Sequence, residues 1–400
     1  MIDLLQRAAQ AAPGQLAVVT PEGASSYGEL VDDARRVAAS LRRRAITRFA
    51  IVEPDAAWVL RLLAGAALAG AEPCQYQPDT AVTEFADHAA ALGHEVVVTR
   101  RTDLTAGELV KPDELLGDER ADDAVGASAP QPLMIRTTGT TGAPKAARHD
   151  WRRLGRTVAA VRPAPDERWL LAYGPQQFAG VQVLLHVAAA RATLVAPFPR
   201  QPRDGLQALV HDGVTCVSAT PTYWRFLLTE ARGRKAALPP LKQITLGGEA
   251  SSPDLLEELR AAFPDARISQ VYASTEFGSV TSVKDGRPGI SVDALHGAAN
   301  PEANLQVRDG ELWVRARAGM LGYVDDATSA PADDDGWRPT GDLVEIVGDR
   351  VLFRGRSSEV INVGGVKVAP LPVEERITAL DCVAMARVFG RPNKLTGAIV

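Results

Sequence analysis

Residues 244–272 read ITLGGEASSPDLLEELRAAFPDARISQVY. Ile244-Thr245-Leu246 is a short apolar and β-branched run, and Gly247-Gly248 turns the chain after it. Ser251 is placed to cap a helix with Pro253 near its first turn and Asp254 three residues on, a capping-box spacing. Leu255, Leu256, Leu259, Ala262 and Phe263 recur at helical spacing and give that helix one apolar stripe. Pro264-Asp265 stops it, and 268–272 returns as a strand. A strand–helix–strand unit of this kind pairs its strands parallel and puts both carboxyl ends on one sheet edge, where open α/β sheets bind ligands. Those two ends are Gly247-Gly248-Glu249-Ala250 and Tyr272-Ala273-Ser274-Thr275-Glu276. Both segments are therefore candidates for direct ligand contact.

The same alternation extends outward. After Tyr27, Leu30, Ala34, Val37, Ala38 and Leu41 recur at helical spacing up to Arg42-Arg43-Arg44, a basic end that complements a helix dipole. Strands are expected at 48–52, near 71–75 and at 95–99, with helices at 56–68 and near 83–92. Residues 102–131 are polar, acidic and short of apolar periodicity, and read as a surface connection. Further strands are expected at 169–173, 192–196 and 214–218, and helices at 180–190, 206–212 and 222–230. From about 289 the helical pattern gives way to short strands at 305–307, 311–317, 343–347 and 351–353, with a Gly348-Asp349 hairpin turn between the last two. A helix near 370–380 and strands at 384–388 and 398–400 follow. Roughly forty residues cannot bury a core of their own, so this last unit is expected to be incomplete, with truncation the favoured reason. The expected class is α/β. A large N-terminal domain, 1–356, holds layered α/β subdomains (about 1–168 and 169–288) with mostly parallel sheets, plus a small β subdomain at 289–356. A hinge and the start of an α+β C-terminal domain occupy 357–400.

Composition narrows the function classes. The chain has 400 residues, 46% hydrophobic and 23% charged, near the averages of soluble globular proteins. A net charge of −5 offers no basic field for nucleic acid or an anionic membrane. Cys74, Cys216 and Cys382 lie far apart without CxxC spacing and read as reduced residues of a cytoplasmic protein. The histidines show no HExxH or similar metal pattern. The N-terminus does not read as a signal peptide, and no apolar run is long enough to span a membrane.

A second segment points to phosphate. Arg136-Thr137-Thr138-Gly139-Thr140-Thr141-Gly142-Ala143-Pro144-Lys145 packs four hydroxyls, two glycines and a lysine just after the apolar Leu133-Met134-Ile135. Gly139 and Gly142 permit positive φ and bring backbone N–H groups to one concave surface, while Lys145 adds a point charge suited to phosphate. The spacing differs from the GxxxxGK[ST] of a Walker A loop, and Lys145 is followed by Ala146. A solvent-exposed Gly/Thr hairpin would account for the glycines but not for the threonines converging on a lysine.

Together these segments resemble the adenylate-forming superfamily of acyl- and aryl-CoA ligases, peptide-synthetase adenylation domains and firefly luciferase, and most of all an acyl- or aryl-CoA ligase. Thr137–Lys145 resembles the TSGTTGxPK phosphate loop, and Tyr272–Glu276 the YGxTE segment. Thr340-Gly341-Asp342 resembles TGD, and Gly355-Arg356 through Gly365 resembles GRxDDxIKxxGxxI. The resemblance implies that Thr137, Thr138, Gly139, Thr140, Thr141, Gly142 and Lys145 hold the β- and γ-phosphates of ATP. It implies that Glu276 binds Mg²⁺, Thr275 bonds the α-phosphate beside Ala273 and Ser274, and Tyr272 stacks on adenine. Gln270 would meet the adenine amino group, with Gly248, Glu249 and Ala250 as the opposite wall. Asp342 would accept from the ribose hydroxyls, and Arg356 would reach the ribose or α-phosphate. The acyl pocket falls near Gln177, Phe178, Gly180, Gly247 and Gly248; its glutamines suit a hydrogen-bonding aromatic or hydroxylated acid, or are simply a polar loop. Ser358 stands at the hinge position.

The implied reaction is activation of a small carboxylic acid as acyl-AMP, catalysed by Thr275, Glu276 and Lys145, followed by transfer to coenzyme A or a carrier protein. The second catalytic lysine of the superfamily is expected beyond residue 400. The alternative is a nucleotide- or acyl-binding protein without full turnover.

Overall fold

The computed structural model describes residues 1–122, 130–137, 145–296, 302–317, 319–324, 332–380, 382–383 and 385–400. The parallel pairing expected from residues 244–272 is present: Gln243–Gly247 runs parallel to Arg267–Ser274, with Ile244 opposite Ile268 and Gly247 opposite Val271. These strands belong to an eight-stranded sheet. Its order is Gly278–Val283, Arg267–Ser274, Gln243–Gly247, Cys216–Ala219, Arg168–Leu171, Thr193–Val195, Leu16–Thr20 and Gly23–Ser26, with only the two outer pairings antiparallel. A second sheet has seven strands in the order Gly322–Tyr323, Lys145–Asp150, Pro132–Thr137, Glu72–Gln75, Arg48–Val52, Val96–Thr99 and Glu108–Val110.

Helices between the sheets carry the largest core. Ser26 opens helix Tyr27–Arg43 with a capping box: its hydroxyl accepts from Glu29 N, and the Glu29 carboxylate accepts from Ser26 N. Leu30, Ala34, Val37, Ala38 and Leu41 form the buried stripe that their spacing predicts. Helix Ala56–Ala69 is capped by Asp55, ends at Gly70 with φ 77°, and is buried on nearly every face.

Four local expectations change. The helix Pro253–Ala262 is capped by Ser252, whose hydroxyl accepts from Leu255 N, and not by Ser251; Pro253 at the first helical position sets the start one residue later. Residues 102–131 are not wholly a surface connection. Glu108–Val110 adds an edge strand to the seven-stranded sheet, a short helix spans Pro112–Leu115, and Leu104, Val110 and Leu115 are buried. Near the C-terminus the strand expected at 384–388 is absent from its described residues, and Arg391–Asn393 pairs instead with Gly397–Ile399. Last, sheet membership crosses the expected boundary at 168. The hairpin of Leu16–Thr20 and Gly23–Ser26 joins the sheet of residues 168–283, because Val18 pairs with Leu194.

Five antiparallel strands build the β subdomain: Ile290–Ser291, Arg350–Arg356, Arg338–Val347, Glu311–Ala316 and Ala303–Arg308. Leu305, Leu312, Val314, Val344 and Val351 form its core together with Phe277 and Val280 of the eight-stranded sheet's edge. This shared core sets Asp342 and Arg356 beside the carboxyl end of Arg267–Ser274.

Helices Tyr27–Arg43 and Ala56–Ala69 meet at Gly65, where an added Cβ would lie 2.5 Å from Val37 Cγ1 and 3.0 Å from the Ala34 carbonyl oxygen. Overpacking should outweigh the helix propensity that alanine adds. Gly65→Ala is expected to lower stability by about 1–2 kcal/mol in urea unfolding. An unchanged or raised midpoint would contradict this close approach.

Candidate active site

Three groups of side chains meet around the carboxyl end of Arg267–Ser274. The first is the wall after Gln243–Gly247. Gly248 has φ 83°, which favours glycine, and turns the chain away from the sheet. Glu249 does not hang free, because its carboxylate accepts from both the backbone N (3.0 Å) and the hydroxyl (2.6 Å) of Thr222, in the first turn of helix Pro221–Arg234. A carboxylate is favoured there by the positive end of the helix dipole. The Tyr173 hydroxyl donates to the Gly247 carbonyl at 3.0 Å and so ties this turn to the strand end at 171–173.

The second group centres on Asp342, which is 8% exposed. Tyr272 donates its hydroxyl to Oδ2 at 2.6 Å, and Arg356 Nε lies 3.1 Å from Oδ1. Asp342 and Arg356 are direct partners across the antiparallel pair, so sheet register alone brings them together. Asp342 N donates to the Thr340 hydroxyl, which donates to the Leu312 carbonyl; Gly341 N donates to the Glu311 carboxylate at 2.8 Å. The Tyr272 ring rests against Phe353, centroids 5.1 Å apart and tilted by 32°. Burial raises the Asp342 pKa above the ordinary aspartate value, while Arg356 and the Tyr272 bond oppose that rise.

The third group surrounds Glu276. Tyr323 donates its hydroxyl to Glu276 Oε1 at 2.5 Å, and Lys145 Nζ lies 6.0 Å from the Tyr323 ring centroid. Thr137 stands opposite Lys145 in the ladder of the two strands that flank the phosphate segment. Burial, then the bond to Glu276, pushes the Tyr323 hydroxyl pKa up, against a bond with Thr137. Tyr323 sits in a two-residue strand that joins the sheet edge beside Ala147. Sequence reasoning missed it: a lone Gly-Tyr pair has no periodicity to mark it. Thr138, Gly139, Thr140, Thr141 and Gly142 lie outside the described residues.

The remaining expected positions fall as follows. Ser274 Oγ accepts from Phe277 N, so Thr275 and Glu276 form a tight turn after the strand, while Ala273 packs against the large core. Gln270 donates to the Arg287 carbonyl at 2.7 Å. Gln177 precedes helix Phe178–Ala190, and its Oε1 accepts from Gly174 N. Phe178 is buried against His149, 5.7 Å between ring centroids, and Gly180 packs so tightly that a Cβ would meet the Gly174 oxygen at 2.1 Å. Phe178 belongs to the large core cluster, whereas Gly247 ends the strand Gln243–Gly247 and Gly248 turns the chain after it. Ser358 is exposed in a short helix, Ser357–Glu359, directly after Arg356. Among the described residues no cluster of three or more His, Cys, Asp or Glu could hold a metal. A single carboxylate, Glu276, suits a magnesium ion that takes its other ligands from water and phosphate oxygens.

The family model described as AMP-binding enzyme matches residues 5–324. The chain belongs to the AMP-binding enzyme family. As a member of the adenylate-forming superfamily it is 28% identical over 296 residues to a 3-[(3aS,4S,7aS)-7a-methyl-1,5-dioxo-octahydro-1H-inden-4-yl]propanoyl:CoA ligase of Rhodococcus jostii, covering 70% of this chain and 57% of that one. It is 30% identical over 217 residues to a medium/long-chain-fatty-acid–[acyl-carrier-protein] ligase of Mycobacterium tuberculosis, covering 49% and 40%. The chain spans about half the length of these curated relatives. Its fold is that of an o-succinylbenzoate coenzyme A synthetase from Bacillus subtilis solved in complex with ATP and magnesium, with TM-score 0.79, 22% identity, and coverage of 99% of this chain and 88% of that one. No described helix of this AMP-binding protein is long and apolar enough to cross a membrane.

The buried charge of Asp342 has a measurable cost. A carboxyl whose folded pKa is raised holds its proton more tightly in the fold, so its contribution to stability is lost as pH rises through that raised value. Asp342→Asn keeps an acceptor for Tyr272 and removes the charge. The variant should be more stable than wild type at pH 7, with the difference disappearing as pH is lowered into the ordinary aspartate range. Denaturant midpoints that differ equally at every pH would contradict this.

Proposed function

We propose that this chain activates a small carboxylic acid with ATP as an acyl-adenylate, releases pyrophosphate, and passes the acyl group to a thiol, in the first instance coenzyme A. The observation that carries this reading is the meeting of the Tyr272–Asp342–Arg356 cluster with the Glu276–Tyr323–Lys145 group at one sheet edge. Tyr272 offers an aromatic face for adenine, and Asp342 offers carboxylate oxygens to the ribose hydroxyls. Arg356 neutralises the ribose or α-phosphate side. Lys145, Thr137 and the segment 138–142 hold the β- and γ-phosphates, and Ala273, Ser274 and Thr275 border the α-phosphate. Glu276 would hold magnesium, which would neutralise charge between the phosphates; Tyr323 fixes one of its carboxylate oxygens and leaves the other.

In the first step a carboxylate oxygen attacks the α-phosphorus, and the bond to the bridging oxygen of pyrophosphate breaks. In the second, a thiolate sulfur attacks the acyl carbon, and AMP leaves with its oxygen. Neither step needs a side-chain nucleophile. The chain's contribution is alignment and charge neutralisation. Tyr173, Gln177, Gly180 and the Gly247–Gly248 wall border the acid, and Ser358 is the hinge between domains 1–356 and 357–400. Free cysteines agree with a reducing, cytoplasmic setting. A carrier protein as acceptor is the second reading, favoured by the likeness to an acyl-carrier-protein ligase.

The test is carboxylate-dependent pyrophosphate–ATP exchange over a panel of acids. Thr275→Ala and Glu276→Gln should each lower exchange by about a hundredfold or more, and Tyr323→Phe by about tenfold. Wild-type rates in the first two would contradict the assignment. ATP binding without exchange for any acid would favour a binding protein, and thioester formation with coenzyme A but not a carrier protein would fix the acceptor.

A further inference from the structure

Three consecutive backbone carbonyls converge on one guanidinium. Arg350, 5% exposed, donates from Nε to the Pro288 oxygen at 2.9 Å, and from Nη2 to the Arg287 and Gly289 oxygens at 3.0 and 2.7 Å. Its Nη1 lies 2.7 Å from the Asp285 carboxylate. From outside, the Arg287 side chain pairs with Asp349 through two bonds of 2.6 and 2.7 Å. Gly286 and Gly289 have φ of 69° and 73°, a left-handed backbone that favours glycine and lets the turn present its carbonyls to Arg350.

The Arg287 carbonyl accepts a second bond, from Nε2 of Gln270 at 2.7 Å. A carbonyl only accepts, so the Gln270 amide must turn its NH₂ toward Arg287. Gln270 lies two residues before Tyr272 on one strand and therefore shares its sheet face. With Nε2 held at Arg287, Oε1 is the end of the amide turned away from that carbonyl and the acceptor left for a ligand on that face, while one Nε2 hydrogen stays beside the tether. Adenine carries an amino donor where guanine carries an oxygen. Turning the amide to suit guanine would set Oε1 against the Arg287 carbonyl, two acceptors face to face.

We propose that Arg350, by fixing the Arg287 carbonyl, locks the Gln270 amide in the orientation that accepts from adenine and repels guanine. Arg350 is then a positioning residue for the choice of ATP over GTP. The inference rests on the reading that places the nucleotide base against Tyr272 and Gln270.

Dissociation constants for ATP and for GTP, both with magnesium, test it by calorimetry on the whole chain. The expected ratio favours ATP in wild type and falls about tenfold in Gln270→Leu, which loses the acceptor. Arg350→Lys, which cannot reach all three carbonyls, should lower the ratio several-fold, and should add nothing in the Gln270→Leu background. An unchanged ratio in Arg350→Lys, or an effect that persists without Gln270, overturns the role of Arg350 and leaves the base site standing. An unchanged ratio in Gln270→Leu, or no ATP binding by wild type, overturns the base site and the inference with it. If Arg350→Lys fails to fold, the wild-type side-chain amide resonances of Gln270, assigned by their loss in Gln270→Leu, decide: a proton protected from exchange supports the bond to Arg287, and free exchange overturns it.

Discussion

Burying the carboxylate of Asp342 is unfavourable unless close partners replace the water it loses, and those partners come from two separate sheets. Tyr272 reaches it from the eight-stranded sheet, while Arg356 reaches it across a strand pair of the β subdomain. The two sheets hold that relation through a common apolar core, Phe277 and Val280 against Leu312, Val314 and Val351. Arg350 secures the same junction with bonds to a turn leaving the larger sheet. A loosened junction would therefore leave a charge buried without its partners, which couples the integrity of the site to the packing beneath it.

Burial raises the Asp342 pKa while its bonds to Tyr272 and Arg356 oppose the rise, so its charge adds little to the stability of the fold. At Glu276 one carboxylate oxygen accepts from Tyr323, and the strand carrying Tyr323 contributes just two residues to its sheet. Short edge strands add little stability, so the value of Gly322–Tyr323 lies in where it sets the phenol.

Much of this was legible in the sequence because it was written in local patterns. The parallel unit at 244–272 followed from an apolar run, a glycine turn and a helical stripe, and the helices at 27–44 and 56–68 from periodicity alone. The segments carrying Tyr272, Glu276 and Asp342 were visible as motifs. What was hidden depends on long-range pairing. Leu16–Thr20 pairs with a strand nearly 180 residues away, Val18 against Leu194, and nothing local announces it. Residues 102–131 looked like a polar connection because a three-residue edge strand is too short to show alternation. Tyr323 and Arg350 gain meaning only from their neighbours in space. Ser251 and Ser252 offer equivalent caps in sequence, and only the position of Pro253 distinguishes them.

The central claim is that the nucleotide sets its base against the Tyr272 ring and its ribose on Asp342, with its phosphates directed toward Glu276 and Lys145. A crystal structure of this chain grown with ATP and magnesium tests it most directly. The account predicts ribose hydroxyls within hydrogen-bond distance of the Asp342 carboxylate, the base against the Tyr272 ring, and the metal on Glu276. A nucleotide bound elsewhere, with Asp342 still occupied solely by Tyr272 and Arg356, would contradict it.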